Sequence, residues 1–134
     1  MNLYMLDTDT SSYIIKKRPE SVRRRLAQVK PEQVCISIIS YAELLYGVER
    51  SSSQTINRTI VLDFARHLRV QVWDEAAADA YARIRTNLEK TGQPIGGMDM
   101  QIAAHAVSLE AILVTNNTRH FERVSGLALE NWVE

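Results

Sequence analysis

The chain has little of what would narrow its chemistry at once. A single cysteine, Cys35, excludes any internal disulfide. Its setting, VCISII, suits a small apolar core position better than a reactive thiol. The lone cysteine and the lack of a secretory leader lead us to expect a reducing cytoplasm. No apolar run approaches the roughly 20 residues that span a bilayer, so no membrane contact is expected. Net charge is missing too: 16 Lys and Arg balance 16 Asp and Glu, so the total does not announce a nucleic-acid binder. The chain has no P-loop, GxGxxG or GxSxG, and supports no Ser/His/Asp or Cys/His constellation. Histidines and cysteine do not fall at zinc-ligand spacing. His67 and His105 lie in helical stretches and His120 in a loop, and each is read as structural. Repeats, low-complexity tracts and linkers are also lacking.

What is there suits one packed domain over residues 1–134, with 46% hydrophobic and 24% charged residues. Leu3–Leu6 is short and apolar, as a buried strand is. Val34–Ile36, Val70–Trp73, Ala111–Thr115 and Leu127–Glu130 are the further strands expected. Helices are expected over Ser11–Lys17, Pro19–Val29, from Ser40 to about Arg50, Thr55–Leu68, Glu75–Lys90 and Met98–Leu109. Ser40 can cap its helix, with Glu43 three residues on as in a capping box. Asp74 can cap the next long one. Thr91–Gly97 is a loop, and TNNTRHFERV is a loop with at most one helical turn. Strands alternating with helices predict an α/β protein: three layers, α/β/α, around a central, mostly parallel sheet.

In such sheets ligands bind outside the carboxyl ends of the strands. Asp7 follows the first strand, and Glu43 lies early in the helix after the second. Asp99 opens the helix after the glycine-rich loop, and Asn116 and Asn117 follow the fourth strand. Each acid alone could be a cap or a dipole partner. Together they would repel one another unless a cation neutralised them. Oxygen donors select a hard cation, Mg²⁺, with Mn²⁺ as the alternative. The chemistry such a site performs is phosphoryl transfer or phosphodiester hydrolysis.

The segments LDTDT, ISIISYAELLYGVERS, IGGMDMQIAAHA and LVTNNTRHFERVSGLALENW, in this order and at these spacings, resemble the PIN-domain ribonucleases. More narrowly they resemble the VapC toxins of VapBC toxin–antitoxin modules, over nearly the whole chain. The resemblance implies that Asp7, Glu43 and Asp99 are the acidic metal-site residues. Asp7 and Asp99 would be direct Mg²⁺ ligands, and Glu43 would complete the site or hold a water. Thr8 matches a hydroxyl that orients the first acid, and Thr115 and Asn116 belong to the supporting set. Asn117 stands where the family often carries a fourth acid, which puts a second metal in doubt. Asp9 replaces a common Asn and either adds negative charge near the metal or caps the next helix, with the cap the favoured reading. The resemblance further implies endonucleolytic cleavage of RNA, in several relatives of initiator tRNA. It also implies silencing by a VapB antitoxin, a homodimer, and promoter DNA binding only through the antitoxin.

Charge is uneven along the chain. Lys16, Lys17, Arg18, Arg23, Arg24, Arg25 and Lys30 face a single acid, Glu20, within one stretch. A solvated helix face explains that, and so does a phosphate contact. Beside an acidic site an RNA substrate needs positive charge at the rim, which favours Lys16, Lys17, Arg23 and Arg24, with Arg85 and Arg119 behind them. The helices Val22–Val29 and Ala42–Gly47 are read as core or as an antitoxin groove. Competing functions are a haloacid-dehalogenase-type phosphatase using the Asp7/Asp9 pair, a receiver-like domain with Asp74 as acceptor, and a degenerate PIN fold that only binds a partner.

Overall fold

Each short apolar run becomes a strand because only the middle of the molecule can hide it. The computed structural model describes residues 1–134. Its strands are β1 (Tyr4–Leu6), β2 (Val34–Ser37), β3 (Arg69–Gln71), β4 (Ile112–Val114) and β5 (Ala128–Glu130). They form one sheet in the order β3-β2-β1-β4-β5, and every pairing is parallel. The expected "mostly parallel" sheet is therefore wholly parallel.

The helices are α1 (Thr8–Lys16), α2 (Glu20–Ala27), α3 (Ile38–Glu49), α4 (Gln54–Arg66), α5 (Glu75–Lys90), α6 (Gly97–Ser108) and α7 (Thr118–Phe121). Strand alternation divides the core in two. Met5, Cys35 and Leu113 face α5 and α6, packing with Leu88, Ile102 and Ala103. Tyr4, Leu6, Ile36 and Val114 face the other way, toward Val22 of α2, Leu44 and Val48 of α3 and Val61 of α4. Met5 and Leu6 are wholly enclosed, and burial of each contributes about 1.5–3 kcal/mol. Burial pushes the Cys35 thiol up to about 12, consistent with an inert core sulfur. No helix is long and apolar enough to cross a membrane.

Two helix starts differ from expectation for a capping reason. α1 begins at Thr8, not Ser11, because Asp7 itself is the N-cap and its Oδ1 accepts from the Thr10 N–H at 2.8 Å. Asp9, expected to be the cap, lies exposed in the first turn instead. α3 begins at Ile38, because Ser37 rather than Ser40 is its cap, accepting from the Ile39 N–H at 3.0 Å. Ser40 is then buried inside the helix, and Glu43 takes no part in a capping box. α7 is the single helical turn foreseen in TNNTRHFERV. Trp73 leaves the third strand: its indole N–H donates to the Gln101 carbonyl at 3.0 Å and its ring meets Tyr81 edge-on. Asp74 caps α5 as expected, accepting from the Ala77 N–H at 3.1 Å.

The order of the sheet locates the place to search. From β1 the chain moves outward to β2 and β3, then returns to the other side of β1 for β4 and β5. The reversal lies between β1 and β4, and ligand crevices open at such switch points beyond the carboxyl ends.

Candidate metal centre at the switch point

Leu6 pairs with Val114, so the next residues along the two strands, Asp7 and Thr115, emerge together at the switch point. Asp7 is the more constrained of the two. Its backbone N–H donates to the Val114 carbonyl at 3.0 Å, and its carboxylate caps α1. It is only 7% exposed. Burial pushes its pKa up, while the Thr115 hydroxyl and the Thr10 groups beside it oppose that, and the Asp9 charge adds to it. No Lys, Arg or His stands within ion-pairing distance of Asp7. A buried, hydrogen-bonded carboxylate with no cationic partner is the unusual electrostatic feature of this molecule.

Asp99 lies in the first turn of α6. Its pKa is also raised by burial; His120 opposes the rise and Asp9 adds to it. His120 Nε2 lies 3.1 Å from Asp99 Oδ2. Asp9 therefore acts electrostatically on Asp7 and on Asp99 at once, in line with the reading that it adds negative charge at the site and against the favoured reading that it is a cap. Glu43, on α3, is held from the other side: the Thr8 hydroxyl donates to Oε1 at 2.5 Å. Thr8 thus orients Glu43, not Asp7, which corrects the role expected for it.

The amides are placed differently from the acids. The Asn117 N–H donates to Thr115 Oγ1 at 2.9 Å, while its side chain is exposed and makes no capping bond. Asn116 Oδ1 accepts from Asn131 at 3.2 Å. His120, read as structural, sits one turn beyond Asn117 on α7 and touches an acid of the site. The i, i+3 spacing of Asn117 and His120 was the available signal, since residues so spaced share a helix face. His105 does meet its structural expectation: it is buried, with Nδ1 2.7 Å from the Ser37 hydroxyl.

The acids do fit a cation, in a particular sense. No three Asp, Glu, His or Cys side chains stand close enough together to cage a metal ion. Mg²⁺ does not require such a cage: it keeps several waters and takes one or two carboxylates. The desolvated, unpaired charge on Asp7, within the field of Asp9, is the observation that favours a bound cation.

The basic residues divide. Lys16 lines a groove of about 550 Å³ that begins at Thr8 and Glu43 and runs between α1, α3 and α4 over Leu44, Val48 and Ile60. Leu44 and Val48 are both core and groove floor. Lys17 is exposed, in the left-handed backbone region that ends α1. Arg23 lies 4.0 Å from Glu20, and Arg24 and Arg119 are exposed. Arg85 is held on α5 by Glu89 and Tyr81. Arg25 is structural: it pairs with Glu130 at 2.6 Å and lies over the rings of Tyr4 and Trp132.

A parallel sheet with acids gathered at its switch point defines a class, and comparison agrees with it. The family model described as PIN domain matches residues 4–127. The chain is 42% identical to the tRNA(fMet)-specific endonuclease VapC of Shigella flexneri, over 96% of this chain and 97% of that protein. It superposes on DNA-bound VapBC from Salmonella typhimurium with a TM-score of 0.93, 40% identity and coverage of 98% and 99%. VapBC2 from Rickettsia felis, bound to a promoter DNA fragment, gives a TM-score of 0.91, 38% identity and coverage of 97% and 98%. The chain belongs to the PIN-domain family and, within it, to the VapC ribonucleases of toxin–antitoxin modules. That membership removes the phosphatase and receiver readings.

Proposed function

We propose that this chain is the Mg²⁺-dependent toxin of a type II toxin–antitoxin pair and cuts a tRNA, with initiator tRNA the expected target. The supporting observation is Asp7: buried, unpaired by any cation, and fixed at the switch point. The Shigella relative named for tRNA(fMet) supports the substrate class.

Asp7 and Asp99 would hold the ion, with Glu43 beside it; Mn²⁺ is the alternative metal. When bound, the ion neutralises phosphate charge and lowers the pKa of water. The chain's own groups do the rest. The Thr10 N–H fixes the Asp7 carboxylate and the Thr115 hydroxyl supports its ionised form. Thr8 occupies Glu43 Oε1, which leaves Oε2 to accept a proton from the attacking water. Lys16, Lys17, Arg23 and Arg24 bind the RNA backbone at the rim, with Arg85 and Arg119 in lesser roles.

A VapB-type antitoxin silences the toxin, in keeping with the VapBC pairs among its structural relatives. The toxin forms a homodimer, and promoter DNA is reached only through the antitoxin. The test is bulk tRNA incubated with the chain and Mg²⁺. Discrete cuts that vanish with EDTA, in Asp7→Asn and in Asp99→Asn are expected. Inertness toward RNA, with phosphatase activity on small phosphate esters, would overturn the reading.

A further inference from the structure

Behind the crevice two polar side chains meet where apolar packing would be the cheaper filling. His105 is 1% exposed and Ser37 is wholly enclosed, and their chain neighbours Ile36, Ala104 and Ala106 are equally hidden. Burying such groups is costly unless they bond, and an apolar pair of the same shape would avoid that cost. His105 Nδ1 lies 2.7 Å from Ser37 Oγ. No other hydrogen bond joins α6 to β2 or α3. Counting donors sets its direction. Ser37 Oγ already accepts from the Ile39 N–H at 3.0 Å, and its own proton has no other acceptor. The hydroxyl therefore donates to Nδ1, and the ring proton sits on Nε2. Nε2 itself and the Ser40 hydroxyl, one turn further on, find no good partner. Two hydrogen bonds go unmade beside the one that is kept, which calls for a reason beyond packing.

The position of the bond supplies that reason. Glu43 follows Ser37 by six residues on α3, and Asp99 precedes His105 by six on α6. At about 1.5 Å per residue, each acid lies about 9 Å along its helix from the bond. A tilt of about 6° there moves either acid by about 1 Å, and a misplacement of that size can cost about a hundredfold in rate. Thr8 already holds the Glu43 carboxylate and His120 holds that of Asp99, so the mutual placement of the two helices is what remains to be set. We propose that His105 is a positioning residue: with Ser37 it fixes where α3 starts against α6, and thereby the spacing of Glu43 and Asp99 across the crevice. This rests on the ribonuclease reading of the crevice given above. A hydrogen bond suits the task because it is directional, whereas apolar contact leaves helices free to slide and rotate.

Kinetics of RNA cleavage by the full chain and nitrogen NMR of its histidine rings together test this. In the wild type the His105 Nδ1 signal should be that of an unprotonated, hydrogen-bonded nitrogen, and it should move in Ser37→Ala. His105→Leu should lower kcat by about tenfold and leave KM within about twofold. His105→Asn, whose Oδ1 can accept from Ser37, should recover most of that loss. Leu88→Ala opens a cavity in the core beside α6 but away from this bond, and should lower stability while leaving kcat unchanged. An Nδ1 signal that ignores Ser37→Ala would overturn the proposal. So would His105→Asn no better than His105→Leu, or a kcat loss in Leu88→Ala equal to that in His105→Leu. Should His105→Leu fail to fold, Ser37→Ala takes its place, and a kcat there equal to the wild type would overturn the proposal. A wild type that cuts no RNA would overturn the ribonuclease reading and this proposal with it.

Discussion

At the scale of single residues, the chemistry turns on which aspartate of LDTDT does what. Asp7 is enclosed and its folded pKa lies above the ordinary 3.8 because of desolvation. The sign follows: at neutral pH the folded state holds a charge it disfavours, and that penalty is relieved as pH falls toward 3.8. Asp7→Asn keeps an N-cap oxygen for Thr10 and removes the charge. It should abolish RNA cleavage, by at least about a hundredfold, and raise the melting midpoint of the EDTA-treated protein. Calorimetry beside a gel assay checks both halves. Asp9 is exposed and acts only through its field on Asp7 and Asp99. Asp9→Asn should therefore retain cleavage and raise the Mg²⁺ concentration for half activity by a few-fold. A dead Asp9→Asn variant would make Asp9 a ligand.

At the scale of elements, α3 and α6 are tied behind the site by Ser37 and His105. Ser37 caps α3 and also meets His105 Nδ1, while Nε2 is turned toward the Val72 backbone without a good hydrogen bond. Desolvation lowers the His105 pKa below 6.5. A base lowered on folding binds fewer protons folded than unfolded, so stability is full above about 6.5 and falls as pH drops below it. Urea midpoints should decline from pH 7 to pH 5, and His105→Gln should flatten that decline. Ser37→Ala should cost about 1–2 kcal/mol in the same measurement, through the lost cap. These elements also show what was legible in advance. Buried strands and amphipathic helices announce themselves by runs and period, and α5 was read to the residue at both ends. The caps of α1 and α3 were not, because Asp7 and Asp9, like Ser37 and Ser40, are equally able oxygen acceptors two or three residues apart. Only the backbone decides which one precedes the first turn. His120 was missed because its partner Asp99 lies 21 residues away, and the i, i+3 spacing from Asn117 says nothing of which acid it meets.

At the scale of the whole molecule, a neutral total charge conceals an acidic crevice whose adjoining groove carries Lys16. The topology makes the crevice: β1 and β4 are neighbours in the sheet but far apart in the chain, and Asp7 and Thr115 meet only because of that. The acids of the site were legible as residues, while their unequal burial was not. The proposed phosphate contacts predict salt dependence. Lys16→Ala and Arg24→Ala should each weaken RNA binding for every sequence tested and reduce the salt slope by about 0.7–0.9, measured by filter binding of a non-cleaved RNA from low to moderate salt. Arg25→Ala should instead lower stability, because its guanidinium is committed to Glu130, Tyr4 and Trp132.

The central claim is that the unpaired carboxylate at the switch point belongs to a metal site. Anomalous diffraction from crystals soaked in Mn²⁺ tests it most directly. One peak is predicted about 2.0–2.2 Å from carboxylate oxygens of Asp7 and Asp99, absent from crystals of Asp7→Asn. No peak at the carboxyl ends of β1 and β4, or one that persists in Asp7→Asn, would contradict it.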